Sequence, residues 1–365
     1  MKTNYHKNPI AAKLTALRAL INRHRVVTLI IVGAVGIMAI GGIAYSFWNA
    51  PVSKPAPYTI PQRPKPKPKY YSPLTGLEVP SQVDTTKPVT AIMIENSPDA
   101  RPQSGLKDGE VVYEAIAEGG ITRFLVLYQQ NKPDLIGPVR SVRPYYLDWA
   151  RPYDASIAHV GGSSLALQQV RDGSWRDIDQ FFNGSYYWRA SDRYAPHNVY
   201  TSFAKLDALN QAKGYTSSHP AEMKRTDGKA VSQPDATSIS VHISGPLYDS
   251  SYTYDKTSNA YTRSEGGEVH NDREKGAITP AVVVVMEVPT TQVFEDTFRE
   301  SMQTTGSGKV TIFQNGTVIQ GNWHKNTAAD QLSFTDADGK DISLVRGQTW
   351  ITAIPSDTGS VSWQK

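Results

Sequence analysis

The run VVYEAIAE, Gly119-Gly120, ITRFLVLY poses the first chemical question, because it spaces two carboxylates and an arginine around a glycine pair. A Gly-Gly step between two β-branched, aromatic runs reads as a hairpin. A two-residue loop pairs Glu118 with Ile121, Ala117 with Thr122 and Ile116 with Arg123. Glu114, Glu118 and Arg123 then share one face. Read as a helix, the same stretch lines up Glu110, Glu114 and Glu118, but its β-branched content favours the strand. Two carboxylates about 5–10 Å apart across a cleft are what glycoside hydrolysis requires. Glu114 and Glu118 are therefore catalytic candidates, against the plainer reading of a cross-strand ion pair on a solvated face.

Further along, Gly137-Pro138-Val139-Arg140-Ser141-Val142-Arg143-Pro144 sets two arginines in a loop ahead of PYYLDWA. Proline suits the first turn of a helix. Arg140 and Arg143 beside it suit a carboxylate, phosphate or sulfate, unless structural carboxylates already hold them. ASIAHV then reads as a strand running into Gly161-Gly162-Ser163-Ser164 and the helix LALQQVRD, a junction that points free backbone N–H groups at one place. The spacing and lysine of a P-loop are missing, and no G-x-S-x-G elbow surrounds Ser163. His159 is either a proton carrier or a structural histidine. The segment from Trp188 to Tyr200 mixes aromatics with Arg193, His197 and Asn198, which suits a sugar ring or polar headgroup as well as loop packing. The ligand-binding candidates are thus Arg123, Arg140, Arg143, Ser163, Arg193, His197 and Asn198, and the catalytic candidates Glu114, Glu118 and His159. No cofactor is expected. No metal is expected either: there is no cysteine, no H-x-x-x-H and no H-E-x-x-H.

The elements that must position these residues form an α+β chain. Residues 73–215 alternate strands and helices, as a mixed α/β sandwich-like first domain. Residues 216–236 are polar and turn-rich, a connector. Residues 237–357 are mostly strands, a β-rich second domain, and residues 358–365 are a tail. Asn315-Gly316 marks a type I′ hairpin, Asp338-Gly339 a second turn, and the apolar run at 281–288 a strand buried on both faces.

Ahead of the body, residues 26–48 hold no charge, and about twenty apolar residues span a bilayer core of about 30 Å. Tyr45, Phe47 and Trp48 stand where interfacial aromatics belong, and the basic tail of residues 1–25 predicts an inside N-terminus and an outside C-terminus. The Pro/Lys-rich linker at 49–72 favours extended polyproline II, reaching some 60 Å at about 3.1 Å per residue. A cleaved signal peptide is the rival, with Pro51 giving a poor cleavage site. Residues 1–72 carry eleven Lys and Arg and no acid, so the remainder of the +4 chain has a formal charge of −7. A nucleic-acid partner is excluded on that distribution.

Several unbroken stretches resemble the YerB-like family of bacterial envelope proteins, a domain of unknown function with N- and C-terminal parts. They are PLTGLEV, AIMIENSPDARPQSGL, VVYEAIAEGGITRFLVLYQ, GPVRSVRPYYLDWA, AHVGGSS and APHNVYTS, then GNWHK and the stretch ending at Pro355. The resemblance implies an extracytoplasmic protein with a sandwich-like first part and a more β-rich second part. Many such proteins are lipoproteins; this chain has no cysteine and needs the helix as its anchor. Two functions compete. One is a non-catalytic envelope protein that binds an anionic wall polymer, a glycan or a wall-remodelling partner. The other is a wall-polymer hydrolase or group transferase using Glu114 or Glu118 with the arginines.

Overall fold

The computed structural model describes residues 9–51, 68–294 and 298–365. Most of the Pro/Lys tract, at residues 52–67, lies outside them. The chain divides into Met1–Pro66 and Lys67–Lys365. The first unit holds two helices, α1 (Pro9–Arg23) and α2 (Arg25–Trp48), and no side chain of α2 is buried. The apolar run is therefore one unbroken helix of 24 residues.

The second unit is built on a sheet whose strands come from both halves of the sequence. In chain order they are β1 (Thr90–Glu95), β2 (Val111–Glu118), β3 (Ile121–Tyr128), β4 (Ser156–Ala158) and β5 (Arg176–Asp177). A second sheet follows with β6 (Ser238–His242), β7 (Ser250–Asp255), β8 (Ala260–Glu265) and β9 (Glu268–Val269). The first sheet resumes with β10 (Val282–Val288), β11 (Gly306–Gln314), β12 (Thr317–Lys325), β13 (Ser333–Asp336) and β14 (Thr349–Pro355), and β15 (Ser360–Gln364) closes the second. The large sheet runs β13-β12-β11-β10-β14-β2-β3-β1-β4-β5 and the small one β9-β8-β7-β6-β15. Because β14 pairs parallel with both β10 and β2, the two segments expected as successive domains share one sheet. Val282 to Met286 are all buried between β11 and β14, the two-faced burial expected of the run at 281–288.

Helix α3 (Pro144–Ala150) covers one face of the large sheet, with Tyr113 of β2 stacked on its Trp149 at 5.5 Å. The small sheet covers the other face through Tyr252, Tyr261 and Arg263, whose side chains alternate inward along β7 and β8. Helices α4 (Ser164–Arg171) and α5 (Phe203–Ala212) begin at Ser163 and Ser202, whose hydroxyls accept from Ala166 and Lys205 N–H.

Three local expectations change. Tyr70 and Tyr71, placed in the linker, pair with Val79 and Glu78, because the turn through Gly76 at φ +70° folds the chain back. The tail at 358–365 is mostly β15, an edge strand on which Val361 and Trp363 alternate inward and Trp363 meets Phe313 at 5.7 Å. Its period-two signal is too short to read. The hairpin at Gly119-Gly120 forms, but its register shifts between Ile116 and Glu118. Glu118 pairs with Ile121, Ile116 with Thr122 and Ala115 with Arg123. Ala117 is the extra residue of a β-bulge. Residues directly opposite share a face, so Glu118 and Arg123 lie on the α3 side while Glu114, opposite Phe124, lies on the other. The carboxylate pair expected on one face is split by a single bulged residue.

Candidate ligand-binding cleft

Register along β1, β3 and β2 determines which charges meet. Glu95 lies opposite Arg123, and Arg123 opposite Ala115, all on the α3 face. Arg123 donates to Glu118 at 2.5 Å and to the Ser141 carbonyl at 3.2 Å. Arg143, at the start of α3, donates to the same carboxylate through Nε at 3.1 Å and also through Nη2. Burial pushes the Glu118 carboxyl up, but the two arginines outweigh it and hold it below its ordinary range. The clamp expected of Arg140 and Arg143 does not form: Arg143 joins Arg123 on Glu118, while Arg140 turns to Glu95, so each is held by a carboxylate of its own chain.

Beside it, Glu95 Oε1 gathers three partners: His197 Nδ1 at 2.9 Å, Ser97 Oγ at 3.1 Å and Arg140 Nε at 3.1 Å. Ser97 Oγ also stands 3.1 Å from His197 Nδ1. In a Ser-His-acid triad the serine and the acid use opposite ring nitrogens. Here both face Nδ1, and Nε2 looks toward Asp99 at 3.9 Å. The group is a positioning cluster for His197, with no activated serine.

His197 opens on a cleft of about 640 Å³ that also exposes Asp99, Arg101, Asp192, Arg193 and Arg273. Arg193 ties the loop down by donating to the carbonyls of Asp99 at 2.9 Å and Pro102 at 2.6 Å. Arg273 pairs with Asp192 at 2.5 Å. Arg101 donates to Asn96 Oδ1 and O, each at 3.1 Å, and lies over the Tyr248 ring at 5.3 Å. Its Nε also lies 3.5 Å from the buried Glu265 carboxylate, and its Nη1 has no hydrogen-bond partner among the described residues. Three arginines and a histidine thus face two aspartates, and Tyr194 stands almost fully exposed at the rim. Arg101 also borders a second hollow of about 330 Å³, where Pro102, Leu247 and Val269 supply apolar walls.

Behind Arg101 runs a buried polar network between the two sheets. Glu114 accepts from Arg263 Nη2 at 2.9 and 2.8 Å, from Trp350 Nε1 at 2.9 Å and from Thr352 Oγ1 at 3.3 Å. Arg263 also reaches Glu265 at 3.4 Å and His270 Nδ1 at 3.1 Å, while His270 Nε2 lies 3.0 Å from Gln103 Oε1. Asn96 donates to Glu265 and to Thr122, each at 2.6 Å. Burial pushes the Glu265 carboxyl up to about 7, although Arg263 opposes it. Burial, then the charges of Arg263 and Arg101, hold His270 well below the usual histidine range. Glu114 and Glu118 cannot act as an acid/base couple across one cleft: they lie on opposite faces, and Glu114 is sealed under Arg263 and Trp350.

The remaining predicted residues take up positions elsewhere. His159 is fully buried, with Nδ1 2.8 Å from the Gly161 carbonyl and Nε2 3.1 Å from Asp177. Burial alone would raise the Asp177 carboxyl, but His159 holds it below its ordinary range. Ser163 spends its hydroxyl on the α4 cap. Asn198 staples its own loop, accepting from Arg189 at 2.7 Å and donating to the carbonyls of Ala190 and Arg193. The fold therefore brings Arg140 and His197 together on Glu95, sets Arg193 beside His197 in the cleft, places Arg123, Arg143 and Glu118 across the strand from Glu95, and leaves His159, Ser163 and Asn198 as supports. Sequence reasoning missed Glu95, Arg101, Glu265, His270 and Arg273. One signal was available: Arg263 and Glu265 share the inward parity of Tyr261 on an alternating strand, where charge is out of place.

Comparison with known proteins agrees with this architecture. Residues 74–216 match the model described as "Protein of unknown function (DUF3048) N-terminal domain", and residues 239–351 match its C-terminal counterpart. The YerB protein of Bacillus subtilis (strain 168), whose name marks it as a candidate lipoprotein, is 33% identical over 299 residues, covering 80% of this chain and 89% of that relative. The crystal structure of Bacillus subtilis YerB matches with a TM-score of 0.72 at 32% identity, over 80% of this chain and 100% of that one. Two matched domains in order, joined through one shared sheet, and a relative aligned over most of both lengths make this chain a member of the YerB-like DUF3048 family, whose function is unknown.

Proposed function

We propose that this protein is an envelope protein anchored by α2, with residues 49–365 outside the cytoplasm, that binds an anionic wall polymer or glycan in the cleft around Arg101, Arg193 and Arg273. The carrying observation is the charge of that cleft: on a body with an excess of acidic residues, arginines outnumber aspartates along its lining, and Arg101, which reaches the buried Glu265 through Nε, keeps Nη1 without a hydrogen bond among the described residues. Arginine forks suit phosphate and carboxylate groups. The apolar hollow across Arg101 suits the C–H face of a sugar ring, which supports a glycan carrying acidic groups over a small inorganic anion. Anchoring is supported by a 24-residue apolar helix with no buried side chain and by the relative's name as a candidate lipoprotein. This chain lacks the cysteine that a lipid anchor of that type uses.

The test uses the full chain in detergent with two probes, a muropeptide mixture and a poly(glycerol phosphate) oligomer. Saturable binding that weakens with salt and falls at least tenfold in Arg273→Ala, at unchanged melting temperature, is the expected result. Absence of binding to either probe removes the proposal. Turnover of either probe would instead assign an enzyme.

A further inference from the structure

The helix ahead of the apolar span carries a pattern that the cleft does not explain. In α1, Ile10, Leu14, Leu17 and Ile21 recur at spacings of four, three and four, which places them on one face. All four are exposed, between 41% and 66%. At 100° per residue, Lys13 falls on one flank of that stripe and Arg18 on the other, while Thr15 and Asn22 lie away from it. No Asp or Glu occurs anywhere in residues 1–72. Between α1 and α2, His24 leaves helical geometry at φ −125° and ψ 41°, so the helix is interrupted there and α1 need not continue along the α2 axis.

We infer that α1 lies on the cytoplasmic surface of the bilayer that α2 crosses, with its leucine and isoleucine stripe in the acyl boundary and Lys13 and Arg18 on anionic headgroups. This rests on the reading that α2 spans the membrane. Continuity selects the occupant: a helix one residue from a spanning segment is held at the interface, where an apolar face finds lipid before any other partner. Charge selects the lipid, because flanking cations with no nearby acid favour a negative leaflet. Long basic side chains at the edges of the stripe can bury their stems and keep their charges at the headgroups.

The absence of cysteine makes the test clean. Single variants Leu17→Cys, Thr15→Cys and Val35→Cys of the full chain are labelled with an environment-sensitive fluorophore. They are reconstituted in vesicles of phosphatidylcholine alone or with phosphatidylglycerol, and quenched from the aqueous side facing α1. The Leu17 label is expected to be at least fivefold less quenched than the Thr15 label when phosphatidylglycerol is present. Lys13→Glu with Arg18→Glu is expected to erase most of that protection. Equal quenching at both positions, with the Val35 label shielded, overturns the inference while leaving the span intact. An accessible Val35 label overturns the span itself, and the inference with it. Protection of Leu17 that disappears on diluting protein in lipid shows pairing between copies and also overturns it.

Discussion

At the scale of single residues, the chemistry of the body is governed by how each carboxylate is neutralised. Glu114 and Arg263 are both fully buried and bonded to one another. Glu114→Gln leaves the guanidinium short of its counter-charge and is expected to cost about 3–5 kcal/mol, read from urea midpoints. Glu265 behaves differently, since burial raises its carboxyl to about 7 in the fold from 4.5. A carboxyl raised on folding contributes stability that is complete below pH 4.5. That contribution drains away as pH climbs toward 7, because the unfolded chain ionises first. Glu265→Gln should therefore gain on the parent between those values, by up to about 3 kcal/mol. Urea unfolding at pH 4.5 and pH 7.5 checks the sign. His270 works in the opposite sense: its lowered value makes stability fall as pH drops below 6.5, and His270→Gln should flatten that acid limb.

At the scale of elements, the bulge at Ala117 is the device that separates two glutamates four residues apart. Its irregular backbone is met by helix α3: the Tyr145 hydroxyl donates to the Ile116 carbonyl at 2.7 Å, and that of Tyr146 lies 2.9 Å from the carbonyls of Ala115 and Arg123. Tyr145→Phe removes one such bond from a buried site and should cost about 1–3 kcal/mol in thermal or urea unfolding. The same geometry holds Arg143 at the head of α3 within reach of Glu118. Strand and helix here form one unit, and neither would aim its charges correctly alone. Hairpin chemistry was readable because Gly119, Gly120, Asn315 and Gly316 all take positive φ, which the residue types announce. The bulge was not readable, because nothing in VVYEAIAE distinguishes a regular strand from one with an extra residue.

For the whole molecule, the consequence of β14 pairing with β2 is that the two sequence-matched segments depend on each other. Residues 68–236 produced alone would lack β14 and leave β2 with an open edge beside Val112 and Glu114. We expect that fragment and residues 237–365 to be insoluble or poorly ordered separately, and to regain near-parental circular dichroism when co-expressed. Independent cooperative folding of each would show that the shared sheet is not what holds the body together.

Local order fixed the long apolar helix, the family, the hairpin turns, the helix caps and the central apolar strand, because each is written in contiguous residues at a helical or strand period. The site was another matter. Glu95 reaches His197, Arg263 reaches Glu114, and Arg101 and Arg273 share a cleft only after strands distant in sequence pair in register. Whether an arginine serves a ligand or a carboxylate of its own chain depends on those distant pairings. Arg123 and Arg143 went to Glu118 for that reason, whereas Arg101 reaches Glu265 through Nε alone and has no hydrogen bond on Nη1 among the described residues.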